Sequence, residues 1–315
     1  MKVLIVVNPT ASSVTPRGRV VISKAFEWLG EVRVVSTTHR NHATELATDA
    51  VHDGTEVVVA LGGDGTLNEV AGALAGSEVR LAVLPGGSTN VFARAIGLSD
   101  DPVEAAAQQI AALADRVAHE EHMGLGWANG RVFVFHAGIG FDAAVVHEVE
   151  KRGHLKRWIA HPLFVASAFR TWASYDRKAR FRVEVDGGPA SASPLTLVLN
   201  RDPYTYLGDR PLTLARDVDF DQGLSVCRFD SLSMAGIVLT VGRAILSPGG
   251  FTGSQQVHLS HGVQQVIAST SGRPFAYQLD GDYIGETDRL VLEHRPRSLW
   301  LVKPHTAEQA VPPAA

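Results

Sequence analysis

A carboxylate, Asp64, stands among glycines in Gly62-Gly63-Asp64-Gly65-Thr66, followed by Leu67-Asn68-Glu69. Glycines allow positive φ and close approach of the backbone to a ligand. A glycine turn ahead of a helix aims unpaired N–H groups and the positive end of the helix dipole at one point, which makes an anion site. A bare anion would be repelled by Asp64, so the carboxylate implies a metal-bound phosphate or a hydroxyl that gives up its proton. The structural alternative is an Asx turn in which Asp64 bonds its own backbone. The loop is neither of two familiar phosphate loops: it has no Gly-x-x-x-x-Gly-Lys-Ser/Thr, and no Gly-x-Gly-x-x-Gly follows the strand.

A second turn repeats the design. Ala82 to Ile96 carries Leu84-Pro85-Gly86-Gly87-Ser88-Thr89-Asn90, and the pair Gly86-Gly87, like Gly62-Gly63, ends an apolar strand and opens a helix. Ser88, Thr89 and Asn90 are expected to cap that helix. Far along the chain, Asp280-Gly281-Asp282 places two carboxylates around a glycine. Taken alone it reads as a hairpin turn, because Asp-Gly is a common turn pair.

The elements that hold these turns follow from the apolar pattern. Lys2–Val7, Val32–Ser36, Val57–Leu61 and the run before Pro85 read as strands, and the unbroken apolar run of Val57–Leu61 suits one buried on both faces of a parallel sheet. Helices are expected over Val20–Leu29, Ala43–Val51, Thr66–Ala75 and Asp101–Ala114 between and after them. Alternating β-α units imply a parallel sheet, with ligands bound outside the carboxyl ends of its strands. Asn8, Thr37, Asp64 and Ser88 all fall at such ends.

The pattern changes near Arg116. Asn129-Gly130 between apolar runs predicts a hairpin. A second hairpin is expected between Arg180–Asp186 and Leu195–Leu199, across Asp186-Gly187-Gly188. Further short strands are expected over Leu224–Phe229, Gln256–Leu259, Gln264–Ser269, Phe275–Leu279 and Arg289–Leu292, which suggests an antiparallel sandwich or barrel. The expected division is residues 1–118 as a nucleotide-binding α/β domain, with 296–315 packing back on it, and 119–295 as a β-sandwich substrate domain. Phe141 to Tyr175 interrupts the strands with helical character and mixes Lys151, Arg152, Lys156, Arg157 and Arg170 with Trp158, Phe164, Phe169 and Trp172. Such a helix could rest on an anionic membrane surface, or pack its aromatic face on the sheet. The tail, Val311–Ala315, reads as disordered.

The totals exclude several classes. With 315 residues the prior is about two domains. A net charge of -4 argues against a nucleic-acid binder. One cysteine, Cys227, rules out an intrachain disulfide framework, fits a reducing cytosol and reads as a small buried strand residue. The most apolar segment, Met234–Leu246, is too short to span a bilayer and contains Arg243. Cytoplasmic placement with peripheral membrane contact is therefore expected. A homodimer stays open.

The stretch Gly62-Gly63-Asp64-Gly65-Thr66-Leu67-Asn68-Glu69 resembles the signature of the diacylglycerol kinase catalytic family, which includes bacterial lipid kinases and sphingosine kinases. Asn8-Pro9, Thr37 with His42-Ala43, the second glycine turn and Asp280-Gly281-Asp282 match in the family's order. The resemblance implies an NAD kinase/phosphofructokinase-like α/β domain, a C-terminal β-sandwich, and ATP- and Mg2+-dependent phosphorylation of a lipid hydroxyl, first of all diacylglycerol to phosphatidate. By it, Asn8, Pro9, Thr37, Gly62, Gly63, Asp64, Gly65, Thr66, Asn68, Glu69, Gly87, Ser88 and Thr89 would hold ATP. Asp282, where the family usually has Glu, would be the base, with Asp280 and Asp64 as the other candidates. Asp221 and the Leu224 carbonyl would hold a structural Mg2+. A sphingoid, glycolipid or NAD kinase, and a non-catalytic nucleotide sensor, are the alternatives.

Overall fold

The computed structural model describes residues 1–115, 120–151, 170–173, 175, 181–215, 221–246 and 256–304. The chain forms two compact units, Met1–Met123 with Arg297–Ala315, and Gly124–Pro296.

The first unit is a parallel sheet covered by helices. Strands β1 (Lys2–Val7), β2 (Glu31–Ser36), β3 (Val57–Gly62) and β4 (Arg80–Pro85) lie in the order β2-β1-β3-β4. Every residue of β3 is buried, as expected of a central strand flanked by helices. The register aligns the strand tips: Val7 pairs with Ser36 and Leu61, and Gly62 pairs with Pro85. The end of β18 (Arg289–Val302) adds in parallel beside β4 through Trp300 and Leu301.

The helices are α1 (Pro16–Phe26), α2 (His42–His52), α3 (Asp64–Leu74), α4 (Val91–Ala95) and α5 (Pro102–Ala114). The first begins at Pro16 rather than Val20, because the Thr15 hydroxyl accepts the Gly18 N–H at 3.0 Å and Pro16 suits a first helical position. A 3-10 turn, Glu27–Leu29, closes it ahead of Gly30.

The second unit is an antiparallel sandwich. One sheet has six strands in the order β14-β13-β10-β7-β16-β17. These are β7 (His136–Gly140), β10 (Leu195–Leu199), β13 (Leu224–Phe229), β14 (Val257–Val263), β16 (Phe275–Leu279) and β17 (Asp282–Thr287). The other layer contains β5 (Glu120–Ala128), β6 (Arg131–Phe133), β8 (Phe181–Val185), β9 (Ser191–Ser193), β15 (Gln265–Ser269) and the first half of β18. Phe133, Ile139, Phe181, Val198, Val226, Val266 and Leu290 meet in one core between the layers. On the far side, Leu195, Leu197 and Leu199 pack with Phe141 of α6 (Phe141–Glu150) and Ala244 of α7 (Met234–Leu246).

That two-sided burial corrects the second expected hairpin. The strand β10 sits between β7 and β13, and β8 turns back instead onto β9. Leu195–Leu199 has apolar partners on both faces, whereas β8 alternates buried and open residues and belongs to the other sheet. The Asn129-Gly130 hairpin forms as expected, with φ of 47° and 84°. The sandwich also contains β11 (Thr205–Leu207) and β12 (Arg210–Leu212), a small separate ribbon.

Candidate functional site

Four loops leave the carboxyl tips of β1 to β4, and backbone bonds stitch their starts together. The Asn8 N–H donates to Leu61 O at 2.9 Å, Thr37 N–H to Val7 O at 2.8 Å, and Gly86 N–H to Gly62 O at 2.7 Å. The two glycine turns lie against each other. A Cβ added at Gly86 would stand 2.8 Å from the Gly62 Cα, and one at Gly87 would stand 2.9 Å from the Gly63 Cα. None of Gly62, Gly63, Gly65, Gly86 or Gly87 takes a positive φ. The expectation of left-handed turns is therefore corrected. Backbone packing requires glycine at Gly86 and Gly87, the Thr66 side chain requires it at Gly62, 2.6 Å from where its Cβ would be, and a Cβ at Gly63 would make ordinary contact with Gly87 at 3.5 Å. Gly65 differs: a Cβ there would meet nothing within 4 Å.

The polar residues of the first turn reach out to the other loops. The Asp64 carboxylate accepts the Val91 N–H at 3.1 Å and the Phe92 N–H at 3.3 Å. It thereby caps α4, in place of Ser88, Thr89 and Asn90. Asn90 takes φ of 44° and bonds Gly87 instead, accepting its N–H at 2.8 Å and donating to its carbonyl at 2.9 Å. Ser88 is exposed and Thr89 half-buried. Thr66 Oγ1 accepts from Asn8 Nδ2 at 3.3 Å, while Asn8 Oδ1 accepts the Thr10 N–H and hydroxyl. Pro9, beside it, is exposed. Glu69 accepts the Asn41 N–H at 3.0 Å and the Ala43 N–H at 3.1 Å, which anchors the loop after Thr37. His42 Nδ1 accepts the Thr38 N–H in that loop. Asn68 is half-buried on α3.

The first turns of α3 thus bind three neighbouring loops through Asp64, Thr66 and Glu69. Sequence reading placed all three residues on the nucleotide but missed this bracing. Its signal is a carboxylate within a glycine turn or up to four residues beyond it, facing helix N-termini whose first N–H groups need acceptors.

In the second unit, Asp280 and Gly281 take φ of 50° and 84° and turn β16 into β17. The turn reading of this pair is correct as geometry. The buried Asp280 carboxylate accepts three backbone N–H groups, from Val134 at 2.7 Å, Phe135 at 3.0 Å and His136 at 2.9 Å. Gln278 accepts the Gly281 N–H at 2.8 Å and donates to Asp142 at 2.8 Å, while the Tyr204 hydroxyl donates to Asp142 at 2.6 Å. Burial pushes the Asp142 carboxyl up, and these two donors oppose it. Glu150 of α6 accepts the Tyr283 N–H at 3.0 Å. Asp282, half-buried, therefore rides on a turn fixed on both sides.

Asp221 is exposed in the turn before β13, where Gly223 has φ of 96°, and Leu224 is fully buried. An exposed carboxylate there can offer oxygen to a hard cation. Asp219, and the stretch 152–169 that holds most of the basic and aromatic residues noted above, lie outside the described residues, as does the tail. On either side of that stretch, Lys151 pairs with Glu148, and Trp172 packs inward and donates to Leu232 O at 2.8 Å. None of the described helices is long and apolar enough to cross a membrane.

Residues 2–119 match the family model described as the diacylglycerol kinase catalytic domain. The chain is 30% identical over 187 residues to the diacylglycerol kinase of Bacillus subtilis (strain 168), a stretch covering 58% of this chain and 59% of that one. It is 40% identical over 117 residues to a Pseudomonas aeruginosa protein named "Probable lipid kinase YegS-like", 36% of each chain. The matches thus span only part of these relatives. A crystal structure of a diacylglycerol kinase from Bacillus anthracis str. Sterne superposes with TM-score 0.70 over 96% of both chains at 19% identity. Yeast NADH kinase, complexed with NADH, gives 0.52 over 98% of this chain and 85% of that one, at 9% identity. At these identities the structural likeness is one of fold.

Proposed function

We propose that the chain, whose residues 2–119 match the model of the diacylglycerol kinase catalytic domain, is an ATP- and Mg2+-dependent lipid kinase. It transfers the γ-phosphoryl group to a lipid hydroxyl, with diacylglycerol as the first acceptor and phosphatidate as product. The observation that carries this reading is the pair of glycine turns in backbone contact at adjacent strand tips, braced by α3. Amides of the Gly62–Thr66 turn and of Ser88 and Thr89 hold the phosphates, Gly87 being tied to Asn90, with Asn8, Pro9 and Thr37 at the flanking tips. Gly65 leaves room for close approach.

The carboxylates divide their work. Asp64, Glu69 and Asp280 each accept two or more backbone N–H groups and act as positioning residues. Asp282, on a fixed turn where the family usually has Glu, takes the proton of the attacking hydroxyl in this reading. Mg2+ supplies neutralisation of the γ-phosphate charge. Asp221 and the Leu224 carbonyl hold a separate structural ion. The enzyme works in the cytoplasm at a membrane surface.

Purified protein with radiolabelled ATP, Mg2+ and mixed micelles of candidate lipids tests this. Labelled phosphatidate is expected, and Asp282→Asn should lower kcat about a hundredfold or more at unchanged melting temperature. Transfer to NAD and to no lipid would replace this reading with a soluble-acceptor kinase, which the fold shared with NADH kinase favours as second choice. Nucleotide binding without any transfer would leave a sensor.

A further inference from the structure

Helix α7 (Met234–Leu246) carries a single charge, Arg243, and no acidic residue in Met-Ala-Gly-Ile-Val-Leu-Thr-Val-Gly-Arg-Ala-Ile-Leu. Its inner side is settled: Ala244 and Ile237 join the cluster formed by Leu195, Cys227 and Phe229, and Thr240 is buried. Its outer side is unusual. Val238 is 63% exposed and Leu239 55% exposed. Ala235 and Arg243 are exposed with them, so the spacing i, i+3, i+4, i+8 draws one apolar stripe that ends in a cation. Solvated helix faces are normally polar, and an apolar stripe beside a basic residue suits a helix lying in the headgroup layer.

We propose that this outer face of α7 docks the enzyme on an anionic lipid bilayer. Val238 and Leu239 enter the acyl boundary, and Arg243 meets the negative headgroups. The occupant follows from charge and chemistry: the face offers apolar carbons and one cation, with no acid to repel an anionic surface. The inference deepens the lipid-kinase reading and rests on it, since an acceptor with two acyl chains stays in the bilayer.

The test reads binding separately from catalysis. Val238→Cys gives a second thiol for an environment-sensitive fluorophore. The native Cys227 is fully buried, and burial pushes its thiol up to about 12, so it should stay unlabelled. On vesicles containing phosphatidylglycerol the label should shift to the blue, and on phosphatidylcholine alone much less. In cosedimentation, Val238→Ser with Leu239→Ser should weaken partitioning about tenfold, and Arg243→Gln about fivefold with reduced salt dependence. Activity toward a short-chain, water-soluble acceptor should be unchanged in both variants. A silent label, or unchanged partitioning of the double variant, would overturn the docking face. So would vesicle-independent self-association that the double variant abolishes, which would mean that a second copy covers the stripe. A label response without phosphoryl transfer to any lipid would instead leave docking intact and remove the kinase reading.

Discussion

At the scale of single residues, carboxylates in this chain differ by what already occupies their oxygens. Asp280 serves three buried N–H groups. Replacing it with Ala strands all three, which should cost about 3 kcal/mol or more in urea unfolding. Glu69→Gln keeps one acceptor oxygen where Glu69→Ala keeps none, so the two should differ by about 1 kcal/mol in stability. Both should raise KM for ATP more than they lower kcat, because the loop after Thr37 loses its anchor. Buried His136 supplies a pH prediction. Burial pushes it down to about 3, below its usual 6.5. The unfolded chain therefore binds a proton that the folded chain refuses, and stability present above pH 6.5 falls as pH drops from there toward 3. The slope approaches about 1.4 kcal/mol per pH unit, and His136→Gln should flatten it in melts recorded from pH 7 to 4.

At the scale of elements, α3 is the member that joins the others. Its first turns bond the loops after β1, β2 and β4. Glycines around it separate two demands. A methyl at Gly86 would press on the Gly62 backbone at 2.8 Å, so Gly86→Ala should cost about 2 kcal/mol and splay the turns. A methyl at Gly65 meets nothing and sits at a helix start, so Gly65→Ala should leave stability level or raise it by up to about 1 kcal/mol. If that same variant loses nucleotide affinity in titration calorimetry, the glycine is there for the ligand. Unchanged affinity would remove Gly65 from the phosphate site.

For the molecule as a whole, two units carry two kinds of order. The first places its glycine-turn loops at the tips of a parallel sheet, while the second fixes an acidic turn on a sandwich whose six-stranded sheet is covered on both faces. Cys227 makes the second unit observable by itself. It is fully buried in β13 with its thiol pushed up to about 12. A disulfide reagent should modify it at least about a hundredfold more slowly in the native protein than in urea. Fast native modification would show that the sandwich opens locally.

The order of strands and helices in the first unit was legible in the chain, because apolar periodicity and glycine position are local properties. Hence the β-α units, the Asn129-Gly130 and Asp280-Gly281 turns and the pairing of two glycine turns could be read directly. Some facts were outside its reach. Asp64 bonds Val91, 27 residues on, and Glu69 bonds Asn41, 28 residues back. Such partners depend on which strand tips lie side by side, which strand order decides and no short window contains. The same holds for Leu195–Leu199, whose apolar run fits a hairpin equally well until the sheet assigns a strand to each of its edges. Sequence specified which residues could take part in chemistry. Packing decided which of them brace neighbouring loops.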